Sequence, residues 1–264
     1  MPNQSSHFGA GLHQRRDIIL DTLRRNGRLA VSDMVEQTGI SAVTIRKDLS
    51  ALEREGLLAR VHGGAVTPTI SHNDHNYVER RNYKKAEKQA IARAVAALVK
   101  DGESIMINVG TTSEYVIEEL KGIPNLAIIT NALPILEKLT CCENITTFFL
   151  GGSFQPGMQI TIGDSVIEQL SRYTADKLIM GMDGVDPVNG LTSRNHVEDY
   201  VMHKMISRSR EKILVVDDSK IGKSSLVHIA DIATFDTLVT NRNPENEALL
   251  KQIESQGIRI VYAD

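Results

Sequence analysis

The sequence predicts an α/β protein of two modules. A small N-terminal winged helix-turn-helix covers residues 12–66, a linker 67–82, and a larger α/β domain with a mostly parallel sheet 83–264. Three observations carry this expectation. Helical periodicity broken by turn glycines fills the first quarter of the chain. From Ser104 onward, short β-rich runs alternate with helical stretches. The charge is divided: residues 1–100 hold 16 Lys+Arg against 10 Asp+Glu (+6), and residues 101–264 hold 14 against 23 (-9), for the net -3 of the whole. A basic front on an acidic body fits a polyanionic partner for the front part alone.

Composition bounds the rest. A chain of 264 residues with 41% hydrophobic and 24% charged residues can bury sizeable cores, which excludes wholesale disorder. No apolar run is long enough to span a bilayer, and the polar start, Met1 to Gly11, lacks a signal-peptide pattern. The expected location is the cytoplasm, with no membrane partner. Cys141 and Cys142 are adjacent, too close for ordinary disulfide geometry, and are expected as small buried residues in a reducing compartment.

In the front module, Leu12, Ile18, Ile19, Leu20 and Leu23 recur at helical spacing, and Asn26-Gly27 closes that helix. Ser32 is placed to cap a second helix running through Thr38, with Met34 and Val35 inward and Gly39 as its stop. Ser41 caps a third, from Ala42 to about Glu55, whose inward stripe is Ile45, Leu49 and Leu52. Its opposite face carries Thr44, Arg46, Lys47 and Ser50 near the helix start, where a recognition helix enters the major groove. Arg can bond guanine edges in a bidentate way, while Lys and Thr suit phosphates and sugars. Two short apolar arms around Gly63-Gly64 read as a wing, with Arg60 and His62 available to phosphate or minor groove. Asp48, within the third helix, is expected to be a structural partner of a nearby Arg.

The segment Thr67 to Tyr77 reads as a solvated linker. His72 and His75 lie in it without the further ligands a metal site needs, so no metal and no cofactor are expected. Tyr83 to Val99 forms a helix, with Lys84, Lys85, Lys88 and Arg93 contributing to the basic excess. Candidate strands are Ser104–Val109, Leu126–Thr130, Thr146–Leu150, Lys177–Met182, Ile213–Val216, Thr237–Val239 and Ile258–Val261, with helical stretches between most of them. Ligands of such folds sit beyond the carboxyl ends of the strands, and five polar loops fall there. Asn108-Val109-Gly110-Thr111-Thr112-Ser113 offers a close backbone approach, three hydroxyls and a helix N-terminus suited to an anion. The others are Thr130-Asn131, Gly151-Gly152, Gly181 to Asp186, and Asp217 to Gly222.

The ordered string Thr44-Ile45-Arg46-Lys47-Asp48-Leu49, then Leu52, Gly56 and Arg60-Val61-His62-Gly63-Gly64, closely resembles the DNA-binding region of the DeoR family of bacterial regulators. The segments from about Lys85 to Ala263 resemble that family's effector domain, which is ribose-5-phosphate-isomerase-like in fold. The resemblance implies a repressor of a carbohydrate-utilisation operon. Its partners would be double-stranded operator DNA and a phosphorylated sugar or related intermediate, and it would act as a dimer or tetramer. Gly110, Thr111 and Thr112 would then hold the phosphate, and Asn131, Gly152, Asp183 and Lys220 would line the rest of the pocket. Where the family usually opens the first loop with Asp, this chain has Asn108, one negative charge fewer.

Three rivals stand beside this reading. A sugar-phosphate isomerase is prompted by Asp183-Gly184-Val185-Asp186, but the Lys-Gly-rich segment that should follow reads Gly190-Leu191-Thr192-Ser193-Arg194, so an acid–base partner is missing. Glu198 and His203 are expected on a helix surface or pocket rim. A nucleotide hydrolase is prompted by Gly222-Lys223-Ser224, but Asp217 stands where a phosphate loop requires Gly. A structural DNA-binding protein would have no use for a large domain with polar loops at its strand ends.

Overall fold

The computed structural model describes residues 12–26, 28–54, 58–61, 63–66 and 80–263. The chain divides into two compact units, Met1–Val78 and Glu79–Asp264.

The first unit contains α1 (Leu12–Asn26), β1 (Arg28–Ala30), α2 (Val31–Thr38), α3 (Ala42–Arg54), β2 (Ala59–Val61) and β3 (Gly64–Val66). Ile19 and Leu23 of α1, Met34 of α2, and Ile45, Leu49 and Leu52 of α3 converge on one core, closed from the sheet side by Leu29, Leu58 and Ala65. The expected inward stripe of α3 is therefore the buried one. Two details differ from expectation. Ser32 lies inside α2, whose N-cap is Ala30 and lacks a side-chain cap. The wing also gains a third strand, because β1 pairs antiparallel with β3, which pairs with β2. Gly64 permits that close approach: a Cβ there would lie 2.1 Å from the Leu29 carbonyl oxygen. The pair of glycines is legible in the sequence, whereas the strand that needs one of them is not.

The second unit is built on a seven-stranded parallel sheet. Its strands are β4 (Ser104–Ile107), β5 (Leu126–Thr130), β6 (Ile145–Phe149), β9 (Ala175–Met180), β12 (Ser209–Val215), β14 (Thr237–Asn241) and β15 (Arg259–Ala263), in the spatial order β15-β14-β12-β9-β4-β5-β6. These are the seven candidate strands of the sequence, shifted by a few residues at their ends. Helices α4 (Lys85–Ala96), α5 (Thr111–Leu120) and α6 (Leu133–Leu139) cover one face. Helices α7 (Asp164–Ser171), α8 (Asp199–Ser207) and α9 (Glu247–Glu254) cover the other. Alternation along β4 shows both faces dry: Ile105 and Ile107 pack toward the first helical layer, and Met106 toward the second.

Two small β pieces were not foreseen. The hairpin of β7 (Ser153–Gln155) and β8 (Ile160–Ile162) follows β6. A three-stranded antiparallel sheet joins β10 (Gly184–Asp186), β11 (Gly190–Ser193) and β13 (Val227–Ala230). Strands of three or four residues, rich in Gly, Ser and Thr, leave no period to detect.

Two expectations about side chains are corrected. Lys88 is buried, donating its ammonium to the carbonyls of Arg80 and Tyr83, and Lys84 is paired with Asp218. Half of the basic cluster attributed to this segment thus serves the unit's own structure. Cys141 is exposed and Cys142 half-buried, because they sit in the turn after α6 rather than in the core. Both thiols are free.

Leu49 lies at the centre of the first unit's core, so Leu49→Ala should destabilise that unit by about 2–5 kcal/mol. Urea unfolding followed by circular dichroism should show one early transition moving and the later one unchanged.

Candidate DNA-reading face and effector cleft

The outer face of α3 is organised from its cap downward. The Ser41 hydroxyl accepts from the Thr44 backbone N–H (3.3 Å) and pairs with the Thr44 hydroxyl (2.9 Å), fixing the first turn. Arg46 and Lys47 follow, both exposed. The Ser50 hydroxyl donates to the Arg46 carbonyl at 2.9 Å and accepts from Arg60 Nη1 at 2.9 Å, so the wing arginine leans on the helix. The Arg60 backbone N–H is held by Glu53 at 3.1 Å. Ser41, Thr44 and Ser50 thus shape the surface on which Arg46, Lys47 and Arg60 present charge. Behind it, buried Asp48 accepts two bonds from the Arg15 guanidinium, 2.9 and 3.4 Å, the structural role expected for it. Val43, which no periodicity singles out, stands 74% exposed in the first turn. His62 lies outside the described residues.

In the second unit the strand order reverses between β4 and β9, and the loops that follow these two strands must part there. Asn108 bridges them: its Nδ2 donates to the Gly181 carbonyl at 3.2 Å and its Oδ1 accepts from the Gly181 N–H at 3.0 Å. Helix α5 starts immediately beyond, at Gly110, with no side chain capping its N-terminus. Its open N–H groups give a partial positive charge to that spot. Ser113, fully buried, turns an unpartnered hydroxyl into the same region.

The neighbouring walls are polar as well. Asn131 is completely buried; its Nδ2 donates to the Thr161 carbonyl at 2.8 Å, which leaves Oδ1 without a partner among the described residues. Glu198, 3% exposed, also has a carboxylate oxygen unpartnered. Burial, and next the nearby Asp183 charge, push its carboxyl up to about 8. It is therefore a neutral acid at pH 7, able to donate as well as accept. Asp183 accepts from the Arg194 backbone N–H at 3.0 Å, with the Arg194 guanidinium 3.8 Å away. Beyond β12, Asp218 binds Lys84 (2.5 Å), Asn241 (2.9 Å) and Asn243 (2.8 Å). Burial alone would raise its carboxyl, but these donors hold it below the usual range. Lys220 stands half-buried at the end of the same turn. Among the described residues no group of His, Cys, Asp and Glu is gathered to hold a metal ion.

The DeoR-like helix-turn-helix domain matches residues 15–71, and the DeoR C-terminal sensor domain matches 83–242. The chain belongs to the DeoR family. Curated DeoR-type relatives align along nearly its whole length. The HTH-type transcriptional repressor GlcR of Bacillus subtilis is 30% identical over 95% of this chain and 96% of its own. The glycerol-3-phosphate regulon repressor of Escherichia coli is 32% identical, over 88% and 91%. The transcriptional repressor AccR of Agrobacterium fabrum is 35% identical, over 86% and 88%. Among solved structures, the sorbitol operon regulator SorC of Klebsiella pneumoniae covers 92% of this chain and 100% of its own, at 12% identity and TM-score 0.42. A D-ribose-5-phosphate isomerase in complex with phospho-erythronic acid covers 52% and 54%, at 19% and 0.38. At those values neither adds to the fold read from the strand order.

Within this DeoR sensor unit, the residues named from sequence separate into groups. Gly110, Thr111, Thr112, Ser113, Asn131 and Asp183 belong to the loops around the switch point. Asn108 lies among them but has both ends of its amide committed to Gly181, so it holds the two loops together rather than facing a ligand. Gly152 is exposed, and its lack of a side chain serves packing: a Cβ would sit 2.5 Å from the Ile162 carbonyl and 2.8 Å from Val166. Asp186 accepts from the Val188 and Asn189 N–H groups (2.9 and 2.8 Å), which makes it the turn-former of the β10–β11 hairpin. Glu198 lies in the buried interior rather than on a helix surface or rim, whereas His203 is exposed beside Asp199. A lone Glu ahead of a helix gives no sequence signal that it will be buried.

A carboxyl raised on folding makes a favourable contribution below the unfolded value, 4.5, that is lost as pH rises through about 8. Thermal unfolding measured between pH 5 and 8 should therefore fall more steeply for the wild type than for Glu198→Gln. Parallel curves would mean that Glu198 is ionised in the folded state.

Proposed function

We propose that this DeoR-family transcriptional regulator represses a carbohydrate-utilisation operon in the cytoplasm and releases its operator when a phosphorylated sugar or polyol binds the second unit. The observation that carries the effector reading is the uncapped N-terminus of α5 at the sheet's switch point, with the buried, unpartnered Ser113 hydroxyl beside it. Thr111, Thr112 and Ser113 receive the phosphate there, helped by the helix dipole. Asn131 and the neutral Glu198 bond hydroxyls of the remainder, and Asp183 and Lys220 stand at its margins. Relatives named for glycerol-3-phosphate control support a small phosphorylated polyol as the chemical class.

On the DNA side, Arg46 reads a base edge, Lys47 and Arg60 hold phosphates, and exposed Val43 meets a thymine methyl. Ser41, Thr44 and Ser50 position these residues, with Ser41 and Thr44 also close to the backbone. His62 of the wing joins the phosphate contacts. A dimer or tetramer places two such helices in successive major grooves. The role is binding rather than turnover. Asp186 forms its own turn and Asp183 is oriented by the Arg194 backbone N–H, and the Lys-Gly-rich segment of an isomerase is replaced by Gly190-Leu191-Thr192-Ser193-Arg194.

The deciding experiment is a gel shift on DNA upstream of the protein's own gene and its neighbours, at fixed salt with competitor, repeated with a panel of sugar and polyol phosphates. Specific binding relieved by one of them supports the reading. Absence of specific binding, together with isomerisation of a sugar phosphate by the purified chain, would replace it with the enzyme. In the same titration Arg46→Ala should weaken operator binding by about 1–3 kcal/mol. Unchanged affinity would remove Arg46 from the interface. The double variant Thr111→Ala, Thr112→Ala should bind operator normally and ignore the effector; release at the wild-type concentration would place the phosphate elsewhere.

A further inference from the structure

The hairpin of β7 and β8 follows β6, and its second arm is tied to two sides of the cleft. One tie is to Asn131, the residue after β5. The Thr161 N–H donates to the Asn131 carbonyl at 2.9 Å, and the Asn131 Nδ2 donates to the Thr161 carbonyl at 2.8 Å. The Leu133 N–H adds a bond to the Gln159 carbonyl at 2.8 Å, and Ala132 bridges Ile160. The other tie is at the hairpin's tip, where the Met158 sulfur accepts from Asn195 Nδ2 at 2.8 Å. Asn195 lies in the loop after β11 and is itself fixed, its Oδ1 accepting from the Val197 N–H at 3.0 Å. Its neighbour Arg194 gives a backbone N–H to Asp183, and Glu198 follows three residues later.

These contacts close a circuit. It runs from Asn131 along β8 to Met158, across to Asn195 and on to Glu198, whose carboxyl Asn131 acts on in turn. Two acceptors without a partner among the described residues, Asn131 Oδ1 and one oxygen of Glu198, belong to that circuit. The N-terminus of α5 lies outside it, beyond β4. The order β4-β5-β6 therefore sets the helix N-terminus, Asn131 and the root of the hairpin in a row along the sheet.

Met158 stands at the far end of this row and differs from the lining before it. It is half-buried and packs against the apolar layer built with α4, α5 and α6. The turn holds it in place: the Met158 and Gln159 N–H groups donate to the Gln155 and Pro156 carbonyls, both at 3.2 Å. Gln159 is left-handed at φ 55, rare for a residue other than Gly or Asn. A thioether is a weak acceptor, and this one is already engaged by Asn195. What Met158 offers a polyol is volume, not a bond.

We propose that Met158 is the stop that sets how long a ligand the cleft accepts, with the β8 arm closing the end opposite the α5 N-terminus. The proposal rests on the phosphate-ester reading of the cleft and adds selection by chain length. Phosphate contacts are common to every phosphorylated polyol, so they cannot rank its members. A ligand one carbon too long must displace Met158 from Asn195, whereas a shorter one leaves buried acceptors unpaired.

The test uses the full chain and a series graded by length: glycerol 3-phosphate, erythritol 4-phosphate, ribitol 5-phosphate, sorbitol 6-phosphate and a heptitol 7-phosphate. Binding is read by calorimetry, and operator affinity without probe serves as the check on folding. The wild type should prefer one length. In Met158→Ala the affinity for the next longer member, relative to the preferred one, should rise by about fivefold or more. Met158→Val shortens the side chain less and should shift the ranking the same way; it decides the matter if the alanine variant does not fold. Met158→Leu keeps the volume without the sulfur and should keep the wild-type ranking. Ratios within about twofold of wild type in the alanine and valine variants overturn this proposal alone. A leucine variant as relaxed as alanine overturns it too, because the bond to Asn195 would then set the length. Equal binding of all lengths by the wild type leaves no stop to explain and has the same consequence. If no member of the series binds the wild type, the phosphate-ester reading and this proposal fall together.

Discussion

The reversal of strand order between β4 and β9 is the constraint on which the sensor unit depends. Strands to one side of it run onward through β5 and β6, and those to the other through β12, β14 and β15. The helical connections of the two halves pack on opposite faces of the sheet. The loops at the junction therefore diverge and leave a crevice that no neighbouring connection fills. Asn108 stabilises the junction because an amide can both donate to and accept from one backbone unit. Gly181 presents its carbonyl and its N–H to that single side chain. A carboxylate could make only the second of these bonds. Asparagine at this position thus decides how the two halves are joined as well as the charge of the loop.

Around the junction the interior holds polar groups that lack a hydrogen-bond partner among the described residues: the Ser113 hydroxyl, the Asn131 carbonyl oxygen and one oxygen of Glu198. Each such group costs free energy, of order 1–3 kcal/mol, when it is buried without a bond. Cores seldom keep several together, and a binding site, where a ligand completes them, is the ordinary reason. These groups are chemically diverse. A helix N-terminus attracts an anion, while a neutral acid and a fixed amide oxygen recognise hydroxyls. That division of labour matches a molecule with one phosphate and a polyol body, a chemistry that charge alone would not have specified.

The sequence made the framework legible because periodicity reports burial. All seven parallel strands, and the inward stripe Ile45-Leu49-Leu52, were visible as runs of apolar residues at the right spacing. The loops of the cleft were visible because ligands of such sheets sit at strand ends and those loops carry Gly, Asn and Thr. Glu198 was not. Whether a charged residue is buried depends on tertiary packing, and one Glu or Arg next to a helix carries no pattern. The role of Asp218 was hidden similarly, because Asn241, Asn243 and Lys84, which surround it, lie 23, 25 and 134 residues away in sequence. The opposite holds at Lys84 and Lys88, which the sequence counts only toward the basic excess of a helix from Tyr83 to Val99. Both instead fasten the chain.

Those two lysines show why the start of the sensor unit differs from an ordinary linker end. A flexible tether would leave the carbonyls of Arg80 and Tyr83 to water. Here a buried ammonium binds both carbonyls, and the adjoining lysine is locked to an aspartate that also collects two asparagine amides. Burial brings the Lys88 ammonium down to about 8, so its charge persists at pH 7, though with little reserve. Such an anchor fixes the start of the sensor unit on its own body. It rests on a few polar contacts of Lys84 and Lys88.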